Sequence, residues 1–112
     1  MNDQKEEAKI AKCAEKKKSG PIIKLMAKAD NEVLVKALGA LGQIGDEDST
    51  NNITHYLDHS DKAVRLAACE AALKIGTEYM RTRVRHQLAV ESDAEVKKGI
   101  QDLLNAERNA RE

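Results

Sequence analysis

Val33-Leu34-Val35-Lys36-Ala37-Leu38-Gly39-Ala40-Leu41-Gly42-Gln43-Ile44-Gly45 returns 31 residues later as Val64-Arg65-Leu66-Ala67-Ala68-Cys69-Glu70-Ala71-Ala72-Leu73-Lys74-Ile75-Gly76. A looser third copy starts a further 32 residues on, at Val96-Lys97, keeps Ile100, Leu103 and Leu104, and has Glu107 and Arg108 where Ile-Gly stood. Self-similarity at this period marks a stack of small structural units and governs every later assignment. In the first copy the apolar positions 33, 37, 40, 41 and 44 follow the spacing i, i+4, i+7, i+8, i+11, which puts them on one face of a helix. Asp30, Asp61 and Asp93 each stand three residues ahead of the leading valine. From there a carboxylate can accept the free N–H groups of the first turn and sit at the positive end of the helix dipole. Gly45 and Gly76 stand where the helix should close on a left-handed residue.

Upstream of each aspartate lies a shorter apolar segment. The first is Pro21-Ile22-Ile23-Lys24-Leu25-Met26, with Pro21 expected in the first helical turn just after Gly20, read as a breaker. Ile53, Tyr56 and Leu57 form the second, behind the polar run Asp46-Glu47-Asp48-Ser49-Thr50. Met80, Val84 and Leu88 form the third, behind Thr77 as N-cap. Each unit therefore reads as a short helix, a tight turn at the aspartate and a longer helix. An additional helix is expected from about Gln4 to Lys18, with Ala8, Ala11 and Ala14 on one side, Ile10 and Cys13 nearby, and Gly20 as its stop.

The expected architecture is an all-α, α-α superhelix of about three helical hairpins plus an N-terminal capping helix. As a single domain over 1–112 it divides into 1–20 (cap), 21–45, 46–76, and 77–112 (third repeat and C-terminal cap). Ala37, Ala40, Ala68, Ala71 and Ala72 are small enough for neighbouring helices to approach closely, and one hairpin alone cannot hide its apolar stripe. Glu107, Arg108 and Asn109 are expected to form a polar end, with the lysine-rich first helix closing the other.

Composition agrees. The 112 residues include only two aromatics, Tyr56 and Tyr79, and one proline, so the core must be aliphatic and helix is favoured over strand. No stretch approaches the roughly 18 apolar residues of a membrane span, and residues 1–18 are polar and charged, so a cytoplasmic protein with Cys13 and Cys69 as free thiols is expected. Nineteen basic and nineteen acidic residues cancel overall. Residues 1–30 hold eight lysines against five acids and 31–60 one lysine against five acids. Residues 61–90 hold six basic against three acidic, and 91–112 four against six. That balance offers no default case for binding nucleic acid. Lys16-Lys17-Lys18 and Arg81, Arg83, Arg85 are local basic runs without interleaved aromatics and read first as solvated helix surface.

The run Asp30-x-x-Val33-x-x-x-Ala37-x-x-Ala40-Leu41-Gly42-x-Ile44-Gly45-Asp46 resembles the short HEAT-like repeat of the phycobilisome-lyase type. Its second copy keeps Val64-Arg65 and Ile75-Gly76 with Ala72-Leu73 in place of Leu-Gly, and the third keeps Asp93 and Val96 with Lys97 for arginine. Leu34 replaces that arginine in the first copy. The resemblance spans about residues 20–108. It implies a solenoid whose longer helices line the partner-holding surface. On that implication the outward ridge comprises Lys36, Gly39 and Gln43, then Ala67, Glu70 and Lys74, then Lys98 and Asp102. The partner-binding candidates are Lys36, Gln43, Glu70, Lys74, Lys98 and Asp102.

Chemistry leaves little trace. HEAT-like hydroxylases with a di-iron centre use paired His-Glu motifs, and no His-Glu dipeptide occurs. His55 and His59 have the i, i+4 spacing of two ligands on one helical face, with Asp58 adjacent but no third ligand positioned, so no metal or other cofactor is assigned. There is no Gly-x-Ser-x-Gly elbow, and Gly39, Gly42 and Gly45 lie within a helical pattern rather than a phosphate loop. Close packing is expected of Gly42. Two tyrosines cannot line a tetrapyrrole pocket, which leaves a bilin-lyase role as a minor alternative. The preferred reading is a non-catalytic protein–protein interaction module. Its alternative is a polyanion binder through Lys62, Arg65, Arg81, Arg83 and Arg85, and a metal enzyme through His55 and His59 comes third.

Overall fold

In the computed structural model residues 3–111 are described; Met1, Asn2 and Glu112, the outermost residues of the two terminal segments, lie outside them. Seven helices and no strand occur among the described residues: α1 (Asp3–Glu15), α2 (Ser19–Met26), α3 (Asn31–Ile44), α4 (Glu47–Tyr56), α5 (Lys62–Ile75), α6 (Glu78–Val90) and α7 (Ala94–Arg111). The fold is an all-α repeat solenoid. Its caps are those the local spacing dictates. Asp30 accepts the Val33 N–H at 3.0 Å, Asp61 those of Ala63 and Val64 at 2.9 and 3.1 Å, and Asp93 that of Val96 at 3.0 Å. Thr77 caps α6 through the Met80 N–H. Asp46 caps α4 through Ser49, so the polar run from Glu47 is itself the first turn of the short helix. Gly45 and Gly76 close α3 and α5 at φ 67° and 72°, and each donates its N–H back four residues, to the carbonyls of Leu41 and Ala72.

The helices form two layers. One holds α1, α3, α5 and α7 side by side, the other α2, α4 and α6, and each shorter helix packs against the long helix that follows it. The seam between α3 and α5 is the most extensive contact, and both it and the α5–α7 seam contain a close approach. A Cβ on Gly42 would lie 3.0 Å from the Cα of Ala71, and one on Gly99 of α7 would lie 3.0 Å from the Leu66 side chain of α5. Ala37, Ala40, Ala68, Ala71 and Ala72 are all buried, as the stripe required, and Ala71 lies in the α3–α5 seam against Gly42. In the other layer Asn52 of α4 donates to the Met26 sulfur of α2, and Thr54 reaches the Met80 sulfur of α6.

The N-terminal junction differs from its sequence expectation. Gly20 neither stops α1 nor precedes α2. α1 ends at Glu15, Lys17 turns the chain at φ 57°, and α2 starts at Ser19 with Gly20 and Pro21 inside its first turn. Ser19 fixes this start by burying its hydroxyl and donating it to Asp46 at 2.7 Å, a tertiary bond that local propensity does not reveal. On α1 the buried position is Ile10, with Cys13 and Ala14 half-buried, while Ala8 and Ala11 face solvent. The heavier aliphatic side chain takes the core, since it removes more apolar area from water.

The far face of α7 is polar. Positions that carry Val35, Leu38 and Gly42 on α3, and Leu66, Cys69 and Leu73 on α5, carry Lys98, Gln101 and Asn105 on α7. Glu107 is not a free end-cap residue: it turns inward and accepts Arg81 of α6 at 3.4 Å and Arg111 at 3.1 Å.

Candidate functional site

Positions left over once α3, α5 and α7 have buried their stripes make up the outer face of the long-helix layer. Gly39, Glu70 and Asp102 occupy equivalent positions in the three units, as do Gln43 and Lys74 in the first two, and all five are exposed. The other ridge candidates sit at its margins. Lys36 lies at the α1 side, 3.9 Å from Glu7. Lys98 lies at the opposite edge, 3.2 Å from Asp102, and Ala67 is half-buried against the core. Beside the ridge, at the N-terminal ends of the helices, run two shallow grooves. Val35 and Ala63 line one of about 490 Å³ between Glu32, Lys36 and Asp61, and Leu66 and Val96 line one of about 230 Å³ between Lys62 and Glu95. Val35 and Leu66 are equivalent positions, so the surface repeats with the sequence. Nothing in the structure explains Gly39, whose missing Cβ would meet no atom within 4 Å.

The basic residues of repeats 2 and 3 are largely neutralised by internal partners. Lys62 pairs with Glu95 at 3.2 Å, and Arg85 with Glu78 at 3.4 Å. Arg81 reaches Glu78 at 3.0 Å, Glu107, and the carbonyl of Gly76. Arg65 is bound most fully: both oxygens of Glu91 accept it, at 3.0 and 2.9 Å, while its third nitrogen donates to the carbonyls of His59 and Ser60. Of Lys62, Arg65, Arg81, Arg83 and Arg85, Arg83 alone joins no ion pair among the described residues, and its Nε is buried without an acceptor.

The Arg65–Glu91 clamp escapes sequence reasoning because its partners are 26 residues apart and share no pattern. Glu91 is 6% exposed, and it also accepts Gln87 and the Asp93 N–H. Burial pushes its carboxyl pKa upward, but the bonds from Arg65, Gln87 and the Asp93 amide outweigh that, so the group is held below its ordinary value. Its negative charge adds to burial in pushing the neighbouring Cys69 thiol up to about 12, which keeps that sulfur protonated and unreactive near neutral pH. Cys69 is buried and Cys13 half-buried, both as free thiols.

The histidines are separated in role. His59 stacks on Tyr56 with ring centroids 5.7 Å apart, and its Nδ1 accepts the Asp61 N–H at 3.0 Å, leaving only Nε2 for any ligand. His55 lies instead in a groove between α2 and α4 with Ile23, Asp48 and Asn51. Among the described residues no three His, Cys, Asp or Glu side chains are grouped so as to hold a metal ion, and no helix is long and apolar enough to cross a membrane.

No curated protein and no solved structure matches the chain. A family model described as HEAT repeats matches residues 20–105, from the second residue of α2 to the fourth turn of α7. With three helix pairs stacked in register, repeated aspartate caps and alanine-lined seams, the chain belongs to the HEAT-repeat family.

Proposed function

We propose that the chain is a non-catalytic protein-interaction module that holds its partner on the outer face of α3, α5 and α7. The observation that carries this reading is the repetition of exposed positions across that face, Gly39, Glu70 and Asp102 in one row and Gln43 and Lys74 in the next, none of them part of the core beneath. HEAT repeats generally mediate protein interactions, and rows of this kind suit an extended partner that touches one unit after another. Lys36 and Lys98 mark the edges of the contact. The Asp-Val-Ala-Leu-Gly-Ile-Gly pattern supports placing the repeats in the short type named after phycobilisome lyases, without bringing lyase activity with it. Two free thiols, one of them buried, support a reducing cytoplasmic setting.

The test is Glu70→Lys combined with Lys74→Glu. Both side chains are exposed and neither joins an ion pair among the described residues, so thermal stability should be unchanged while partner capture from native lysate falls. Undiminished capture would remove these residues from the site.

A further inference from the structure

With Lys62, Arg65, Arg81 and Arg85 paired, and Lys74, Arg83 and Lys97 standing apart from one another in the sequence, unpaired positive charge is densest at the N-terminal end. Lys5, Lys9 and Lys12 follow the spacing i, i+4, i+7 along α1, Lys16 continues it in the turn just past the helix, and all four are exposed. Beside them, Lys9, Lys24 and Lys28, with Glu6, rim a groove of about 550 Å³ between α1 and α2, lined by Gly20, Pro21 and Leu25. None of these lysines joins an ion pair among the described residues. Their charge is therefore available to a partner.

We propose that this groove and the α1 lysine stripe bind an acidic segment of another protein, which lays its carboxylates along the lysines and inserts one aliphatic side chain between Pro21 and Leu25. Lysine offers hydrated point charges that attract carboxylates through their field, without the planar fork arginine uses on phosphates and guanine. The first arginine in the sequence is Arg65, and both tyrosines lie outside α1 and α2, so the patch has neither arginine forks nor aromatic stacking platforms for a nucleic acid. The stripe also has no large apolar side chain to enter a lipid surface, only Ala8 and Ala11 beside it. An apolar groove floor contributes nothing to a phosphodiester backbone, but it accommodates an aliphatic anchor. Gly20 lines this groove as well as the one between α2 and α4, and a Cβ on it would meet no atom of the described residues within 4 Å, so a side chain can be placed there without a clash.

The experiment is fluorescence anisotropy with a labelled peptide of one leucine flanked on each side by four glutamates. Lys9→Glu with Lys24→Glu and Lys28→Glu should weaken binding at least about tenfold, and raising salt to about 0.3 M should do the same to the wild type. Gly20→Leu, which leaves charge unchanged, should weaken binding while preserving its salt dependence, and a peptide with glycine for leucine should bind less well. Helical circular dichroism must match the wild type in each variant. The Glu70→Lys, Lys74→Glu protein should bind this peptide normally, which separates the patch from the outer-face reading. Absence of peptide binding, or binding indifferent to the three lysines, overturns the proposal. So does tighter binding, through the same lysines, of oligo-dT of equal charge or of phosphatidylserine vesicles.

Discussion

Arg65 and Glu91 show what one side chain contributes to the join between two repeats. Arg65 lies four residues after Asp61, where the first repeat has the buried Leu34 four residues after Asp30. Glu91 lies two residues before Asp93, where the preceding unit has His59 two before Asp61, and each accepts the N–H of its aspartate. The second junction thus adds an ionic clamp between positions that hold a buried leucine and a histidine in the first. Arg65→Leu alone strands a buried carboxylate and should cost about 3 kcal/mol, whereas Arg65→Leu with Glu91→His copies the first junction and should recover at least half of that, by urea midpoints. A double variant as unstable as the sum of its singles would refute the equivalence. The pH dependence follows from the direction of the Glu91 shift. A carboxyl held below its unfolded value stabilises fully above about pH 4.5, and that contribution is lost as pH falls through the lower folded value. Glu91→Gln should flatten this acid limb of the urea midpoint against pH. The aspartate caps were legible because a cap and its amides lie within three residues; this clamp was not, because a stacking register had to place its partners together.

Within a single helix, α3 carries two glycines with opposite environments. Gly39 faces open space, while a Cβ on Gly42 would meet the Ala71 backbone at 3.0 to 3.2 Å. Alanine at either site gains about 0.5 to 1 kcal/mol of helix propensity. At Gly39 nothing opposes that gain, so Gly39→Ala should raise the urea midpoint. At Gly42 the α5 backbone must move away, and overpacking at about 1 to 3 kcal/mol outweighs the gain, so Gly42→Ala should lower the midpoint. A rise for both variants would mean that the α3–α5 seam yields to a methyl group despite the 3.0 Å approach. Periodicity alone could suggest close packing at Gly42, since that position completes the face toward the next unit. Periodicity could not place the start of α2. Gly20 looks like a breaker by propensity, but Ser19 binds Asp46 across 27 residues and draws the helix start forward, while Lys17 takes the left-handed turn. The outer ridge was legible for a similar reason to the core: it is what remains when a helical stripe is subtracted. Lys36, Ala67 and Lys98 fell to its margins because the sequence does not show how far each helix is rotated against its neighbours.

Across the array, cohesion depends on how many neighbours each helix has. The same repeat position holds Leu41 on α3, Ala72 on α5 and Leu104 on α7. Leu41 is fully buried, on a helix in contact with α1, α2, α4 and α5, whereas Leu104 is half-buried, on a helix in contact with α5 and α6 alone. In a nearest-neighbour stack a defect costs what its adjoining interfaces are worth, so chemically identical substitutions should differ by position. Leu41→Asp places an unpaired charge in the central seam, and its cost of several kcal/mol is a large part of the roughly 5 to 15 kcal/mol that holds a domain of this size together. It should abolish the cooperative thermal transition followed by circular dichroism. Leu104→Asp can turn its carboxylate to water beside the polar far face of α7, and should cost only about 1 kcal/mol while leaving the transition intact. Hydrogen exchange should follow the same gradient, slowest in α3 and α5 and faster toward the last turns of α7. If Leu104→Asp melted the molecule as completely as Leu41→Asp, the helices would be held by one indivisible core and not by successive interfaces, and the outer face could no longer be treated as a row of separable units.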